Sequence, residues 1–321
     1  MSEESQVRFG VVIPRYNIDF GSMCELAKRV EASGYSSLWL TDHLQPPGIT
    51  GMVHETLTTL AALACEMKQC RLGTMVFCYS YRHPALLASA LATVDDISGG
   101  RLDVGLGLGS KDQTVETRSL GIAHPMSSQR LEEFREYVQV LKALWTQPQV
   151  TYHGTRYHVE GRGVYPCRQK PHPPLWIGAR KPRMMQLAAS HTDGWNYYGL
   201  SVEEYKNAAQ LMKEYCLQFG RDPATLKRSF FTGVVIANSE AELKEKIARA
   251  SRHRSISPDE FLERSCTAVY GTPGECIETV AQLIKEDVDL IILRDYNLKG
   301  ENIELFSKKV APHFRSMTPQ P

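Results

Sequence analysis

The hydrophobic positions of this chain alternate between short continuous runs and longer stretches with helical spacing. Between residues 72 and 108, the run Gly73–Cys78, the helical stretch Pro84–Ile97 and the run Asp103–Gly109 follow one another. Short apolar runs that end in small or polar residues are typical of strands buried in a parallel sheet. A proline suits the first turn of the intervening helix, and a pair of glycines suits its end. The pattern therefore predicts a strand–helix–strand unit.

The same unit repeats along the chain. The predicted strands are Val7–Ile13, Ser37–Leu40, Arg71–Val76, Leu102–Leu106, Leu175–Gly178, Gly194–Tyr197, Phe230–Ala237 and Val288–Leu293. The predicted helices are Met23–Ser33, Glu55–Met67, Pro84–Ile97, Ser128–Trp145, Pro182–Ser190, Glu203–Phe219, two that begin at the capping residues Ser239 and Thr272, and Glu301–His313. The rhythm breaks at residues 147–174, where alternating residues followed by prolines predict a β-hairpin and an irregular insertion.

Eight strand–helix repeats without a second core predict an α/β fold, a (β/α)8 TIM barrel with an insertion between the fourth helix and the fifth strand. We expect residues 1–321 to form this barrel as a single domain. The alternative is an open doubly wound sheet. Against it, no G-x-G-x-x-G motif follows the first strand, and the G-x-G-x-G of residues 105–109 is a weak signal alone.

The composition and charge argue against several classes of function. The net charge is +1, so the chain lacks the excess of positive charge that would indicate binding to nucleic acid or to an acidic membrane. No apolar run is long enough to span a bilayer, and residues 1–5 carry no signal-peptide core, so we expect a cytoplasmic protein. The eight cysteines form no C-x-x-C pair and no cluster with the spacing of zinc ligands. No metal site is therefore predicted.

Two groups of polar residues follow predicted strands and would face the mouth of the barrel. Asp42 and His43 end the second strand, and a carboxylate beside an imidazole can tune it for proton transfer. The alternative is a helix cap and a structural histidine. Gly178–Lys181 enters a helix after the fifth strand, and its backbone N–H groups and two cations suit a phosphate. The alternative there is an ordinary turn.

Six motifs in order resemble the bacterial luciferase-like superfamily, and the match extends from about residue 8 to residue 294. They are Ser37–Leu44, Tyr81–Pro84, Ile97–Arg101, Gly105–Gly109, Pro174–Gly178 and Ala189–Asn196. Members of this superfamily are (β/α)8 barrels that bind FMN or the deazaflavin coenzyme F420 at the mouth of the strands. The resemblance also implies a homodimer that acts on a small-molecule substrate.

The Asp-His ending of the second strand is most similar to the F420-dependent branch. By this resemblance His43 and Asp42 are the catalytic residues: His43 lies beside the reacting carbon, and Asp42 contacts the deazaflavin ring and orients the histidine. Met75-Val76 matches the position of a non-prolyl cis peptide bond that backs the ring. The residues expected to bind the cofactor are Asp42, Met75, Val76, Cys78, Gly107, Leu108, Gly109, Ser110, Gly178, Ala179, Arg180 and Lys181.

The function that these expectations imply is hydride transfer between coenzyme F420 and a small alcohol, carbonyl or C=C compound. One residue departs from the pattern: Ser110 stands where sugar-phosphate dehydrogenases of the branch have glutamate, so that particular activity is not expected. The rival enzyme is an FMN-dependent monooxygenase that uses reduced flavin and O2. A rival of another class is a barrel that binds flavin without turnover.

Overall fold

The computed structural model describes residues 7–46, 48–123, 129–164, 167–253, 256–264, 267–296 and 300–314. Ser128, where the fourth helix was predicted to begin, and Cys266 lie outside these residues. The strands are β1 Arg8–Val12, β2 Ser37–Leu40, β3 Arg71–Thr74, β4 Phe77–Cys78, β5 Leu102–Gly107, β6 Gln149–His153, β7 His158–Arg162, β8 Leu175–Gly178, β9 Gly194–Tyr198, β10 Lys227–Ile236, β11 Val269–Gly271 and β12 Leu290–Asp295. The α-helices are α1 Phe20–Ala32, α2 Thr56–Glu66, α3 Pro84–Ile97, α4 Lys111–Ser119, α5 Arg130–Thr146, α6 Pro182–His191, α7 Val202–Gln218, α8 Glu240–His253, α9 Pro258–Arg264, α10 Pro273–Lys285 and α11 Glu301–Lys309.

Within the described residues, parallel strands close into a barrel in the order β1-β2-β3-β5-β8-β9-β10-β12. The pairing of β9 with β10 and of β12 with β1 completes the circle. This closure confirms the predicted (β/α)8 barrel and excludes the open doubly wound sheet. The predicted hairpin is also present, as the antiparallel pair β6 and β7 between α5 and β8.

Inside the barrel, large aromatic side chains pack against glycines, which have no side chain. Trp39 and Trp176 meet edge to face, with ring centroids 6.4 Å apart. Each indole lies against a glycine: a Cβ on Gly73 would sit 2.3 Å from Trp39, and one on Gly194 would sit 2.1 Å from Trp176. Phe231 packs in the same interior cluster. These rings fill the barrel below its mouth, so the mouth lies above a packed core rather than a channel.

The structure differs from the prediction at three places near the mouth. The third strand ends at Thr74 and resumes as β4, and the predicted cis bond between Met75 and Val76 separates the two segments. Helix α4 was not predicted, since its sequence is polar almost throughout. The seventh predicted strand is the longer β10, whose last three residues pair with β11 outside the barrel.

None of the helices in the described part of the chain combines the length and the apolar character needed to cross a bilayer.

Candidate active site

Helix α4 brings an acidic residue to the mouth of the barrel. The helix begins at the capping box of Ser110 and Gln113, in which the Ser110 hydroxyl accepts the N–H of Gln113 and the Gln113 side chain accepts the N–H of Ser110. The Gln113 amide also donates to the carbonyl oxygen of Asp42, 2.5 Å away. Ser110, predicted to bind the cofactor, therefore starts the helix that carries Glu116 toward the end of β2.

Glu116 holds the candidate catalytic histidine. One carboxylate oxygen lies 2.6 Å from Nδ1 of His43, whose side chain is 24% exposed, whereas that of Glu116 is 1% exposed. The other oxygen accepts hydrogen bonds from the Leu44 amide at 2.6 Å, the Tyr81 hydroxyl at 2.8 Å and the Gln45 amide at 3.1 Å. Burial acts to raise the pKa of the Glu116 carboxyl, but these hydrogen bonds outweigh burial and hold that pKa below its usual value.

This geometry assigns the two ring nitrogens of His43 different roles. An ionised carboxylate only accepts hydrogen bonds, so Nδ1 carries the proton that faces Glu116. The second nitrogen, Nε2, is then the proton acceptor. A quarter of the side chain is exposed, and the carboxylate behind the ring stabilises the imidazolium that forms on proton uptake. The pair can therefore act as a general base and, in reverse, as a general acid.

Asp42 lies on the opposite side of the strand end and does not contact the histidine ring. Its buried carboxylate accepts two hydrogen bonds from Arg82, at 2.8 and 3.1 Å, and one from the Cys78 amide at 3.0 Å. Glu55 is a second acidic partner of Arg82. The carboxylate that contacts the His43 ring is that of Glu116, whereas the Asp42 carboxylate, predicted to orient this ring, pairs with Arg82. Contact between Asp42 and a cofactor stays a prediction.

Arg15, at the end of β1, fixes the loop that carries His43. This fully buried guanidinium donates to the carbonyl oxygens of Thr41, His43 and His54. The bond to Thr41 is 2.6 Å long. Three backbone oxygens held by one rigid side chain leave the loop little freedom, so the position of the imidazole is set by the barrel.

The floor of the mouth is formed by Val76 and the glycines around it. A Cβ on Gly107 would lie 2.4 Å from a methyl group of Val76, so the absence of a side chain there accommodates the valine. At Gly178 the nearest atoms to a Cβ are the Val76 methyls at 3.6 and 3.9 Å, which is ordinary contact. Gly109 has a φ of +83° beside the Cys78 thiol. The absence of side chains at these glycines leaves room for Val76, which is half-buried there.

Cys78 and Leu108 complete the predicted cofactor residues on this side. Burial raises the pKa of the Cys78 thiol to about 11, so the group is neutral at physiological pH. Leu108 is half-buried and packs against the main core. The carbonyl oxygens of Leu108 and Gly109 both accept hydrogen bonds from Arg130 at the start of α5. The contacts of Cys78 and Leu108 with a cofactor stay predictions.

In the loop Gly178–Lys181, some hydrogen-bond donors already have partners within the protein and others are open to a ligand. The N–H of Ala179 donates to the carbonyl oxygen of Asn196 at 3.0 Å, so it is already used within the sheet. The Arg180 guanidinium lies 3.4 Å from a carboxylate oxygen of Glu204, and its side chain is 41% exposed. Lys181 is exposed at the start of α6, and among the described residues no side chain caps this helix. The first turn of α6 and the Lys181 ammonium are therefore open to an anion, next to an Arg180 that is paired with Glu204.

Comparison with known proteins identifies similar sequences and folds. The sequence profile of the luciferase-like monooxygenase family matches residues 7–258. The 5,10-methylenetetrahydromethanopterin reductase of Archaeoglobus fulgidus is 34% identical over 333 residues, which cover 90% of this chain and 94% of the reductase. The F420-dependent glucose-6-phosphate dehydrogenase of Kineococcus radiotolerans is 29% identical over 177 residues, which cover 54% of this chain and 51% of the dehydrogenase.

The chain thus spans about half the length of this dehydrogenase and of three similarly named relatives. Among solved structures, the coenzyme F420-dependent tetrahydromethanopterin reductase of Methanopyrus kandleri superposes with a TM-score of 0.76 at 20% identity. The superposition covers 96% of this chain and 99% of the reductase. At this identity the likeness concerns the fold alone.

Proposed function

We propose, from the premise that this chain belongs to the luciferase-like monooxygenase family, that it is an oxidoreductase that uses coenzyme F420. In this proposal it transfers a hydride between the deazaflavin and a small organic substrate, either an alcohol and its carbonyl product or a C=C compound. Relatives whose names include F420-dependent dehydrogenases support this cofactor.

The observation that carries the proposal is the hydrogen bond between His43 and the buried Glu116, with 2.6 Å between Nδ1 and the carboxylate oxygen. When a hydride leaves or reaches the carbon of an alcohol or carbonyl group, a proton must leave or reach the oxygen. A histidine held in one tautomer can transfer that proton. The rest of the mouth fits the cofactor. The half-buried Val76 among glycines suits an apolar ring system, and the uncapped start of α6 with Arg180 and Lys181 suits its phosphate.

The residues of the chain have separate tasks in the proposed reaction. When bound, the deazaflavin is the hydride acceptor or donor. Nε2 of His43 takes the proton from the substrate hydroxyl while the neighbouring C–H bond breaks and its electron pair leaves with the hydrogen. Glu116 stabilises the resulting imidazolium. In the opposite direction the imidazolium returns the proton to the carbonyl oxygen. Arg15 keeps the loop, and with it the imidazole, in place.

An anaerobic assay tests this reaction. Purified protein is mixed with oxidised coenzyme F420 and a panel of alcohols, and in a second series with the reduced cofactor and carbonyl or C=C compounds. The proposal expects a change in the cofactor absorbance that depends on both the protein and one substrate class. Turnover only with reduced FMN and O2, and none in the anaerobic series, would identify the protein as a monooxygenase instead.

Replacement of both Arg180 and Lys181 by alanine is expected to weaken the binding of coenzyme F420 by about 10–100-fold, because charge-assisted hydrogen bonds to a phosphate contribute about 1.5–3 kcal/mol. Binding should not vanish, since the backbone N–H groups of α6 remain. The measurement is an equilibrium titration of wild type and double variant. A deazaflavin fragment without the phosphate tail is the control and should bind both proteins alike. Equal binding of the intact cofactor would mean that this loop is only a turn.

A further inference from the structure

Arg294 places a positive charge inside the mouth of the barrel. Leu290 and Ile292 of β12 belong to the interior cluster with Trp39 and Phe231. Alternate residues of a strand share a face, so Arg294 also points inward, one layer above Ile292 and at the carboxyl end of the strand. Its register partner on β1, Val12, lies in the same interior cluster. Arg294 therefore lines the same opening as His43.

No acidic group balances this charge within the described part of the chain. The Arg294 guanidinium lies over the ring of Phe231, 4.9 Å from its centroid, and there is no hydrogen-bond acceptor or carboxylate within bonding distance of it among the described residues. Phe231 in turn stacks on Tyr198, with centroids 5.0 Å apart. An arginine stacked on an aromatic ring keeps its hydrogen-bond donors directed along the ring plane, where they remain available for a ligand.

The other arginines of the mouth contrast with Arg294. Arg15 is saturated by backbone carbonyl oxygens, and Arg82 lies between Asp42 and Glu55. The carboxylates near the opening are likewise engaged, since Glu116 pairs with His43 and Asp42 pairs with Arg82. Of the three arginines Arg15, Arg82 and Arg294, the last is therefore the one whose donors are unused, and neither Glu116 nor Asp42 lacks a partner. Such a site attracts an anion.

The wall beside Arg294 is also defined. A Cβ on Gly233, the register partner of Arg294 on β10, would lie 2.4 Å from the ring of Tyr296, so that ring fills the space over Gly233. Tyr296 is held by Phe261 of α9, with centroids 5.1 Å apart. The site is thus a cation at the end of a strand, with the ring of Phe231 against it and the ring of Tyr296 over the neighbouring strand.

We propose that Arg294 binds the anionic group of the substrate, so that the substrate class is a small carboxylate or phosphate ester that also carries the reacting hydroxyl, carbonyl or C=C group. The assignment rests on the proposed function, because it places the reacting end of the molecule at His43 and the anion at Arg294. A guanidinium binds either oxyanion with two parallel hydrogen bonds. The phosphate of the cofactor is the other source of such a group.

The experiment uses succinate and inorganic phosphate as probes, titrated by calorimetry into the protein alone and into the protein saturated with oxidised coenzyme F420. We expect at least one of them to bind wild type in both states. Arg294→Met should weaken that probe by about 10–100-fold. Arg294→Lys, which keeps the charge and loses the two-pronged contact, should lie between the two. Arg168→Met removes an exposed arginine paired with Asp96 and is the matched control, which should bind the probe as wild type does.

The outcomes separate this inference from the proposed function. Failure of both probes to bind wild type, or equal binding to wild type and both Arg294 variants, overturns the inference. Loss of coenzyme F420 affinity in Arg294→Met with probe binding intact also overturns it, since the guanidinium would then serve the cofactor. If wild type binds no coenzyme F420, the proposed function fails, while the titrations without cofactor still measure the anion site.

Discussion

His43→Ala is expected to lower turnover by about 10²–10⁴-fold, the usual contribution of a positioned general acid or base. The Kd of coenzyme F420 should stay near its wild-type value, because the proton is transferred in the transition state and not on binding. The measurement pairs steady-state kcat on the substrate found by the anaerobic assay with a cofactor titration. A variant that keeps wild-type kcat would remove His43 from the reaction.

Glu116→Gln is the companion variant. It keeps the shape of the side chain and an oxygen that accepts from Nδ1, but it removes the charge that stabilises the imidazolium. A charge-assisted hydrogen bond contributes about 1.5–3 kcal/mol, so kcat should fall by about 10–100-fold, less than for His43→Ala. In the His43→Ala background the same change should have little further effect, since the two residues act as a unit. Additive losses would mean that Glu116 acts through another group.

Asp42→Ala is expected to destabilise the protein by about 3 kcal/mol, because loss of one partner from a buried ion pair leaves an uncompensated charge. The value lies at the low end of the range for such pairs because Glu55 remains on Arg82. The measurement is the free energy of unfolding from urea titration of wild type and variant.

Two further variants serve as references for the loss of stability expected for Asp42→Ala. Asp42→Asn still accepts the Cys78 amide hydrogen and should lose less stability than Asp42→Ala. Glu66→Gln breaks the exposed ion pair with Lys28, whose side chains are 47% and 44% exposed for Lys28 and Glu66, and should cost at most about 1 kcal/mol. If Asp42→Ala costs no more than Glu66→Gln, the pair with Arg82 is not what makes Asp42 important.

The barrel itself could be predicted from the sequence because its strands are buried on both sides. Runs such as Leu175–Gly178 and Leu290–Asp295 contain almost no polar residue before the strand end, and helices with one apolar stripe separate them. Buried strands that alternate with amphipathic helices are typical of a parallel sheet covered by helices, and eight such repeats are typical of a closed barrel. The pairing of β9 with β10, which closes the barrel, depends on contacts between distant residues and becomes visible only in the structure.

Helix α4 could not be predicted in the same way. Its buried side chains are Gln113, Glu116 and Thr117, which are polar, while Val115 is exposed. A rule that places apolar residues inside therefore points to no buried face. The capping box of Ser110 and Gln113 was the one local signal of a helix start. Without this helix, Glu116 resembles an ordinary surface carboxylate.

The choice of Asp42 as the partner of His43 followed from their adjacency in the sequence. Adjacency favours contact in a turn, but here the Asp42 carboxylate is taken up by Arg82 and the Cys78 amide, whereas the His43 ring pairs with Glu116. The acid that does reach His43 is 73 residues away in the chain. Residue type and strand end were thus sufficient to place a histidine at the mouth, whereas its partner required the three-dimensional fold.

The central claim, that this barrel uses coenzyme F420, is tested most directly by an equilibrium fluorescence titration of the purified protein with coenzyme F420 and, separately, with FMN. The account predicts saturable binding of the deazaflavin with a lower Kd than that of FMN. Micromolar binding of FMN with no binding of coenzyme F420 would contradict it.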